Sequence, residues 1–292
     1  MRKEIIAHRM PKSPISEVFR TLRTNIQFMN TKRGLKTILV TSTSPSEGKT
    51  WVTANLAVTF AQANKRVLLV DCDLRKGRQF SMFGVTPVPG ISNYLSGISA
   101  NGEESSQDIM SYVKTTEVPN LFIITAGSIP PNPSELLVSE QMQDLIDKLK
   151  DAFDLVIFDG TPSILVTDAV ILSRYVDTTI IVAAYKQTKT EDLQRIKRDI
   201  ENVGGKIAGV VINKVPIAQK KYESEYYYGT NGISSSEKIN RKLPETKRMN
   251  KADEEQKARE DREKIKEKAR QMIEQNKTYE IKSKRKTKKD DE

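Results

Sequence analysis

Leu39-Val40-Thr41-Ser42-Thr43-Ser44-Pro45-Ser46-Glu47-Gly48-Lys49-Thr50 decides how the chain folds. An apolar run over 37–40 enters a turn of small residues ending in Gly48-Lys49-Thr50, and Val52, Leu56, Ala57 and Phe60 follow at helical spacing. The pattern is strand, phosphate loop, helix. Small side chains let backbone N–H groups curl around phosphate oxygens, a lysine placed as Lys49 is reaches the β and γ oxygens, and the Thr50 hydroxyl ligates Mg²⁺. One position departs from Gly-x-x-x-x-Gly-Lys-Ser/Thr, because Thr43 stands where the first glycine is expected. The expected nucleotide contacts are Ser44, Pro45, Ser46, Glu47, Gly48, Lys49, Thr50 and Trp51.

Two further strands end in carboxylates. Val67-Leu68-Leu69-Val70 delivers Asp71-Cys72-Asp73-Leu74-Arg75, and Leu155-Val156-Ile157-Phe158 delivers Asp159-Gly160-Thr161-Pro162. Continuous apolar runs are the mark of buried parallel strands, and ligands in an open α/β sheet sit at the carboxyl ends of its strands. A lone aspartate after a strand is more often a helix cap or turn residue. Three such strand ends with Lys49-Thr50 among them point to a Mg-nucleotide site, with Lys49, Asp71, Asp73 and Asp159 as its chemistry and Thr50, Asp73 and Asp159 as metal ligands. Arg75 joins the nucleotide contacts, while Lys76 and Arg78 read as holders of phosphate, as holders of an acidic partner or as a solvated turn.

The remaining elements alternate strand and helix, as a parallel sheet covered on both faces requires. Ser13-Pro14 opens a helix with Phe19, Leu22, Ile26 and Met29 turned to the core. Glu17, Arg20 and Arg23 share one of its faces, as a solvated charge ladder or as a contact with another subunit. A short helix over 91–95 and a strand over 121–124 follow, and 99–119 carries no clear pattern. Ser134 is expected to cap a helix running to 152, and 167–175 and 189–203 read as helices around a strand over 178–184. The last strand, 207–212, ends at Asn213, placed to read a base edge or simply to make a turn.

Composition narrows the class. With 37% apolar residues the chain buries an ordinary core, and no run approaches the roughly 18 apolar residues of a bilayer span. A cytoplasmic protein is expected. One cysteine and one histidine exclude a disulfide framework and a structural zinc site. Cys72 alternates with the two aspartates and reads as a small core residue, and His8 as a solvated residue of a polar N-terminal arm. Of the net charge of +10, six come from 231–292, which holds 20 Lys/Arg and 14 Asp/Glu. That tail has almost no large apolar residues, so disorder with partial helix is its expected state. No aromatic residues interleave its basic run at 282–289, which gives no support to specific nucleic-acid binding. Just before it, Tyr222, Tyr226, Tyr227 and Tyr228 crowd into seven residues with Glu223 and Glu225, without apolar periodicity. Core tyrosines do not cluster so, and exposed hydroxyls suit phosphate acceptance. The expected divisions are 1–35, an arm and oligomerisation helix; 36–216, the nucleotide domain; 217–230, the tyrosine cluster; and 231–292, the tail.

Taken together these motifs resemble the bacterial tyrosine kinases of capsule and exopolysaccharide biosynthesis, of the cytoplasmic type with a separate membrane adaptor. Asp71-Cys72-Asp73-Leu74-Arg75 resembles their second Walker motif, Asp159-Gly160-Thr161-Pro162 their Walker B, and Glu17-x-x-Arg20-x-x-Arg23 their ring-forming motif. The resemblance implies an α/β P-loop NTPase fold like that of the partitioning ATPases, with a mostly parallel sheet flanked by helices. It also implies ATP and Mg²⁺ as cofactors, a homo-oligomeric ring, and autophosphorylation of the tyrosine cluster between subunits. The partners it implies are a membrane adaptor of the polysaccharide co-polymerase type, which recruits the kinase to the inner face of the membrane, and a protein tyrosine phosphatase. Partitioning-type ATPases, acting as assembly switches, are the alternative, but they resemble Gly-Lys-Gly-Gly-x-Gly-Lys-Thr, with a lysine where Ser44 stands here. Ser46 replaces a usual glycine, and a 62-residue tail, 231–292, follows the tyrosine cluster, which in the family lies near the C-terminus.

Overall fold

The computed structural model describes residues 5–29, 34–99, 102, 104 and 106–216. The tyrosine cluster and the tail therefore lie outside the described residues. In chain order the elements are α1 (Ile6–Arg9), α2 (Pro14–Met29), β1 (Thr37–Ser42), α3 (Lys49–Ala61), β2 (Val67–Asp71), α4 (Gln79–Phe83) and α5 (Ile91–Ser96). A 3-10 turn (Ile109–Tyr112), β3 (Lys114–Thr115), β4 (Leu121–Ile124), α6 (Pro133–Val138), α7 (Glu140–Ala152) and β5 (Leu155–Pro162) follow. The last are α8 (Asp168–Ser173), β6 (Thr178–Ala184), α9 (Thr190–Asn202) and β7 (Ile207–Asn213).

The seven strands form one sheet in the order β3-β4-β2-β5-β1-β6-β7, parallel except for the β3 edge. Alternation along each strand divides the core. Ile38, Val40, Val67 and Leu69 face Val52, Leu56 and Phe60 of α3, while Leu39, Leu68, Val70 and Phe158 face Leu145 and Leu149 of α7 and Leu172 of α8. Each such side chain, fully buried, contributes about 1.5–3 kcal/mol. Cys72 is buried in the second cluster, as its alternation required. The register sets Asp71 opposite Asp159, and the Cys72 N–H donates to the Asp159 carbonyl at 2.9 Å, so two carboxylates emerge side by side. The fold is the α/β P-loop NTPase architecture. Among the described residues no helix is long and apolar enough to cross a membrane.

Four expectations need correction. The helix read over 134–152 is two helices, because Ser139 breaks it and caps α7 by accepting from the Met142 N–H at 3.2 Å. Met29 is 63% exposed and leaves the core to Phe19 and Ile26. The arm is not merely polar: Ile5 and Ala7 are fully buried, the Ala7 N–H donates to Asn55 Oδ1 at 3.0 Å, and His8 is half-buried. Within 99–119 the 3-10 turn and the antiparallel β3 appear, too short for any periodicity to announce them.

Candidate active site

Between β1 and α3 the loop is fastened from inside by Glu47. Its carboxylate accepts from Thr43 Oγ1 at 2.5 Å, from the Ser44 N–H at 2.9 Å and from the Thr188 hydroxyl. Thr43 thus replaces the missing glycine with a hydroxyl tie, fully buried. From β7, Asn213 Nδ2 donates to the Glu47 carbonyl at 2.9 Å, holding the loop backbone. The turn requires left-handed backbone at Gly48 (φ +95°) and, without a glycine to ease it, at Ser46 (φ +65°).

Lys49 begins α3 and turns to the strand ends. Its Nζ lies 3.1 Å from Asp73 Oδ2, 3.6 Å from Asp159 Oδ1 and 3.3 Å from Thr50 Oγ1. Burial acts against the Lys49 charge, but Asp159, Asp73 and Asp71 outweigh it and raise its pKa above the ordinary lysine value. Burial, then the neighbouring Asp159, pushes the fully buried Asp71 up to about 7, against the hydrogen bond from the Gln79 N–H. Burial also raises Asp159, opposed by Lys49 and by hydrogen bonds from Thr50 and Gln79. Burial, reinforced by the aspartates, raises the Cys72 thiol, so it is no nucleophile.

A cleft of about 760 Å³ opens beside the loop, ample for a nucleotide. Pro45, Ser46, Gly48, Lys49, Thr50 and Trp51 line it, with Asp73, Arg75, Lys76 and Arg78 opposite. Trp51 also packs edge-on against Phe19 with ring centroids 5.2 Å apart, joining α2 to the site. Asp71 and Asp159 sit behind this lining, together with Ser44, Glu47 and Asn213. Asp71 is shut in by Gly77, where a Cβ would lie 2.8 Å from its Oδ2. Three carboxylates face one ammonium here, and the donors that reach the cleft, the Thr50 hydroxyl and the Asp73 carboxylate, are hard oxygens, which suits Mg²⁺. Among the described residues no three or more Asp, Glu, His or Cys are grouped to hold a metal by themselves. Water and phosphate oxygens would complete any such shell.

Two residues of the site carry no signal in the sequence. Gln79, buried at the start of α4, donates through Nε2 to Asp159 Oδ2 and to the Thr50 carbonyl, both at 3.0 Å, and ties the first turn of α3 to the end of β5. Asp168, fully buried, accepts from Arg75 Nε at 2.9 Å, from Arg75 Nη2 at 3.2 Å and from Ser134 Oγ at 2.7 Å. Ser134, expected as a cap, serves this junction instead, and the Asp168 bond holds the Arg75 proton more tightly than usual. On α2, Glu17 pairs with Arg20, and Arg23 Nη1 donates to the Thr59 carbonyl at 2.8 Å. Within one chain the ladder is thus partly tied to α3.

The CobQ/CobB/MinD/ParA nucleotide binding domain family matches residues 38–259. Tyrosine-protein kinase YwqD of Bacillus subtilis is 38% identical over 79% of this chain and 93% of its own length. The crystal structure of the chimerical protein CapA2B2 is 36% identical, with a TM-score of 0.68 over 74% of this chain and 92% of that one. The kinase domain of Escherichia coli tyrosine kinase ETK is 30% identical, with a TM-score of 0.66 over 75% of this chain and 85% of that one. With three-quarters of its length alike in sequence and fold, the chain belongs to the bacterial tyrosine-protein kinases, within that wider family of nucleotide-binding domains.

Proposed function

We propose that the chain is an ATP-dependent autokinase that phosphorylates Tyr222, Tyr226, Tyr227 and Tyr228 of a neighbouring copy and so regulates the synthesis and export of capsular or extracellular polysaccharide. The observation that carries this reading is Lys49 held against Asp73 and Asp159 at the lip of a nucleotide-sized cleft. Catalysis of this kind is positioning and charge neutralisation. Lys49 steadies the β and γ phosphates, and Thr50, Asp73 and Asp159 hold the cation. Mg²⁺, when bound, offsets charge on the transferring phosphoryl group. Asp71 takes the tyrosine proton, its pKa near 7 suiting a group that gains and loses a proton at working pH.

Glu17, Arg20 and Arg23 join copies into a ring, and phosphate gathered on the tyrosines disperses it by repulsion. An adaptor of the polysaccharide co-polymerase type recruits the kinase to the inner face of the membrane, and a tyrosine phosphatase resets the cluster. No specific nucleic acid takes part. Mixing wild-type chain with a Lys49→Met acceptor and labelled MgATP tests the transfer: label on the acceptor supports it, and label confined to released phosphate contradicts it. Light scattering tests the ring, since Ala at Glu17, Arg20 and Arg23 should lower particle size and an unchanged size removes that contact.

A further inference from the structure

We propose that Arg75, Lys76 and Arg78 form a rim that selects tyrosines flanked by acidic residues, and that Asp168 and Ser134 hold Arg75 in place for this. The proposal rests on the kinase reading above and extends it to substrate choice. Lys49, Arg75, Lys76 and Arg78 line the cleft against one lining carboxylate, Asp73. Lys49 is answered by Asp73 and Asp159 and Arg75 by Asp168, which leaves Lys76 and Arg78 as the excess charge of the rim. Lys76 and Arg78 are exposed and make no ion pair among the described residues.

Arg75 differs from its two neighbours in being built in. Asp168 and Ser134 take its Nε and Nη2, and its side chain stays 38% exposed beside a carboxylate with no exposure. A guanidinium held on one edge by a buried carboxylate keeps its remaining amino group in one place, prepared for an anionic partner. Reaching the nucleotide is not what such a clamp favours, since it draws the fork toward α6 and α8. The occupant is the 221–229 segment of a second copy, because its tyrosines carry Glu223 and Glu225 between them and its charge complements the rim.

The test uses full-length chains. Isotope-labelled Lys49→Met acceptors, with or without Glu223→Lys and Glu225→Lys, are mixed with MgATP and either wild-type donor or donor carrying Lys76→Glu and Arg78→Glu. Phosphotyrosine on the labelled chain is counted by mass spectrometry, and donor affinity for MgADP by calorimetry. Reversing the acceptor charges is expected to lower transfer from wild-type donor about tenfold. Reversing the donor rim should shift preference to the reversed acceptor, read as the ratio of label on the two acceptors from that one donor, so that any change in its own nucleotide affinity cancels. Transfer to the reversed acceptor within twofold of the original overturns the rim, and this arm needs no donor variant. Loss from the reversed donor on both acceptors, with MgADP still bound, also overturns it. No phosphotyrosine on the unaltered acceptor from wild-type donor would instead end the kinase reading, and the rim with it.

Discussion

Lys49 Nζ lies 3.1 Å from Asp73 Oδ2, so the phosphate-loop lysine is held by the carboxylate of the next strand before any ligand arrives. Lys49→Met removes the one ammonium among Asp71, Asp73 and Asp159. Transfer should fall by at least about a hundredfold. The variant should fold but melt below wild type, and the gap should widen from pH 6 to 8 as the uncompensated carboxylates ionise. Calorimetry at the two pH values checks this; an equal gap would mean the carboxylates do not feel the lysine.

In chelator, stability should fall as pH rises from about 4 to 7. Asp71 moves from 3.8 to about 7 on folding and Asp159 also moves up, so in this window the folded chain holds more protons than the unfolded one. Stability declines with pH wherever that is so. Urea midpoints across the window measure it, and Asp71→Asn should flatten the slope. A midpoint that climbs through the window, with no change in Asp71→Asn, would count against the buried cluster.

Gly48→Ala should weaken nucleotide binding by more than about tenfold, since a side chain at φ +95° is strained and its Cβ would meet Asn213 Nδ2 at 2.1 Å. Adding Asn213→Ala removes the clash but not the backbone strain, so calorimetric affinity should recover only in part. Full recovery would show that φ is immaterial here.

Ser46→Gly should relieve strain where Gly48→Ala adds it. Serine at φ +65° is strained by about 1 kcal/mol, and because the free loop already carries that strain its relief should raise the urea midpoint of the fold. A lower midpoint would mean that the serine hydroxyl contributes more than its backbone loses.

Arg75→Ala should destabilise the chain more than Asp168→Asn. The first leaves a carboxylate with no exposure unpaired, and the second leaves a guanidinium that water already reaches. Unpaired buried charge costs about 3–5 kcal/mol, less here where solvent enters. Denaturant titration of both variants decides the order.

Strand ends were legible because continuous apolar runs and Lys49-Thr50, Asp71-Cys72-Asp73 and Asp159 mark themselves in one dimension. Their meeting at one sheet edge followed from the same pattern, but the register that sets Asp71 directly opposite Asp159 did not, because it depends on β5 inserting between β2 and β1. Gln79 and Asp168 look like ordinary helix starts, and only the fold brings them under Asp159 and Arg75. Asn213 was placed at the right strand end, but its bond to the Glu47 carbonyl spans the sheet and leaves no local trace. The break at Ser139 was missed because apolar residues keep helical spacing across it.

The most direct measurement is site-resolved mass spectrometry of the full chain after incubation with MgATP, with Lys49→Met beside it. Phosphate on Tyr222, Tyr226, Tyr227 or Tyr228 in wild type, and on none of them in the variant, is the expected result. ADP release with those four tyrosines unmodified, even with an adaptor's cytoplasmic peptide present, would contradict it and favour an ATPase that switches assembly.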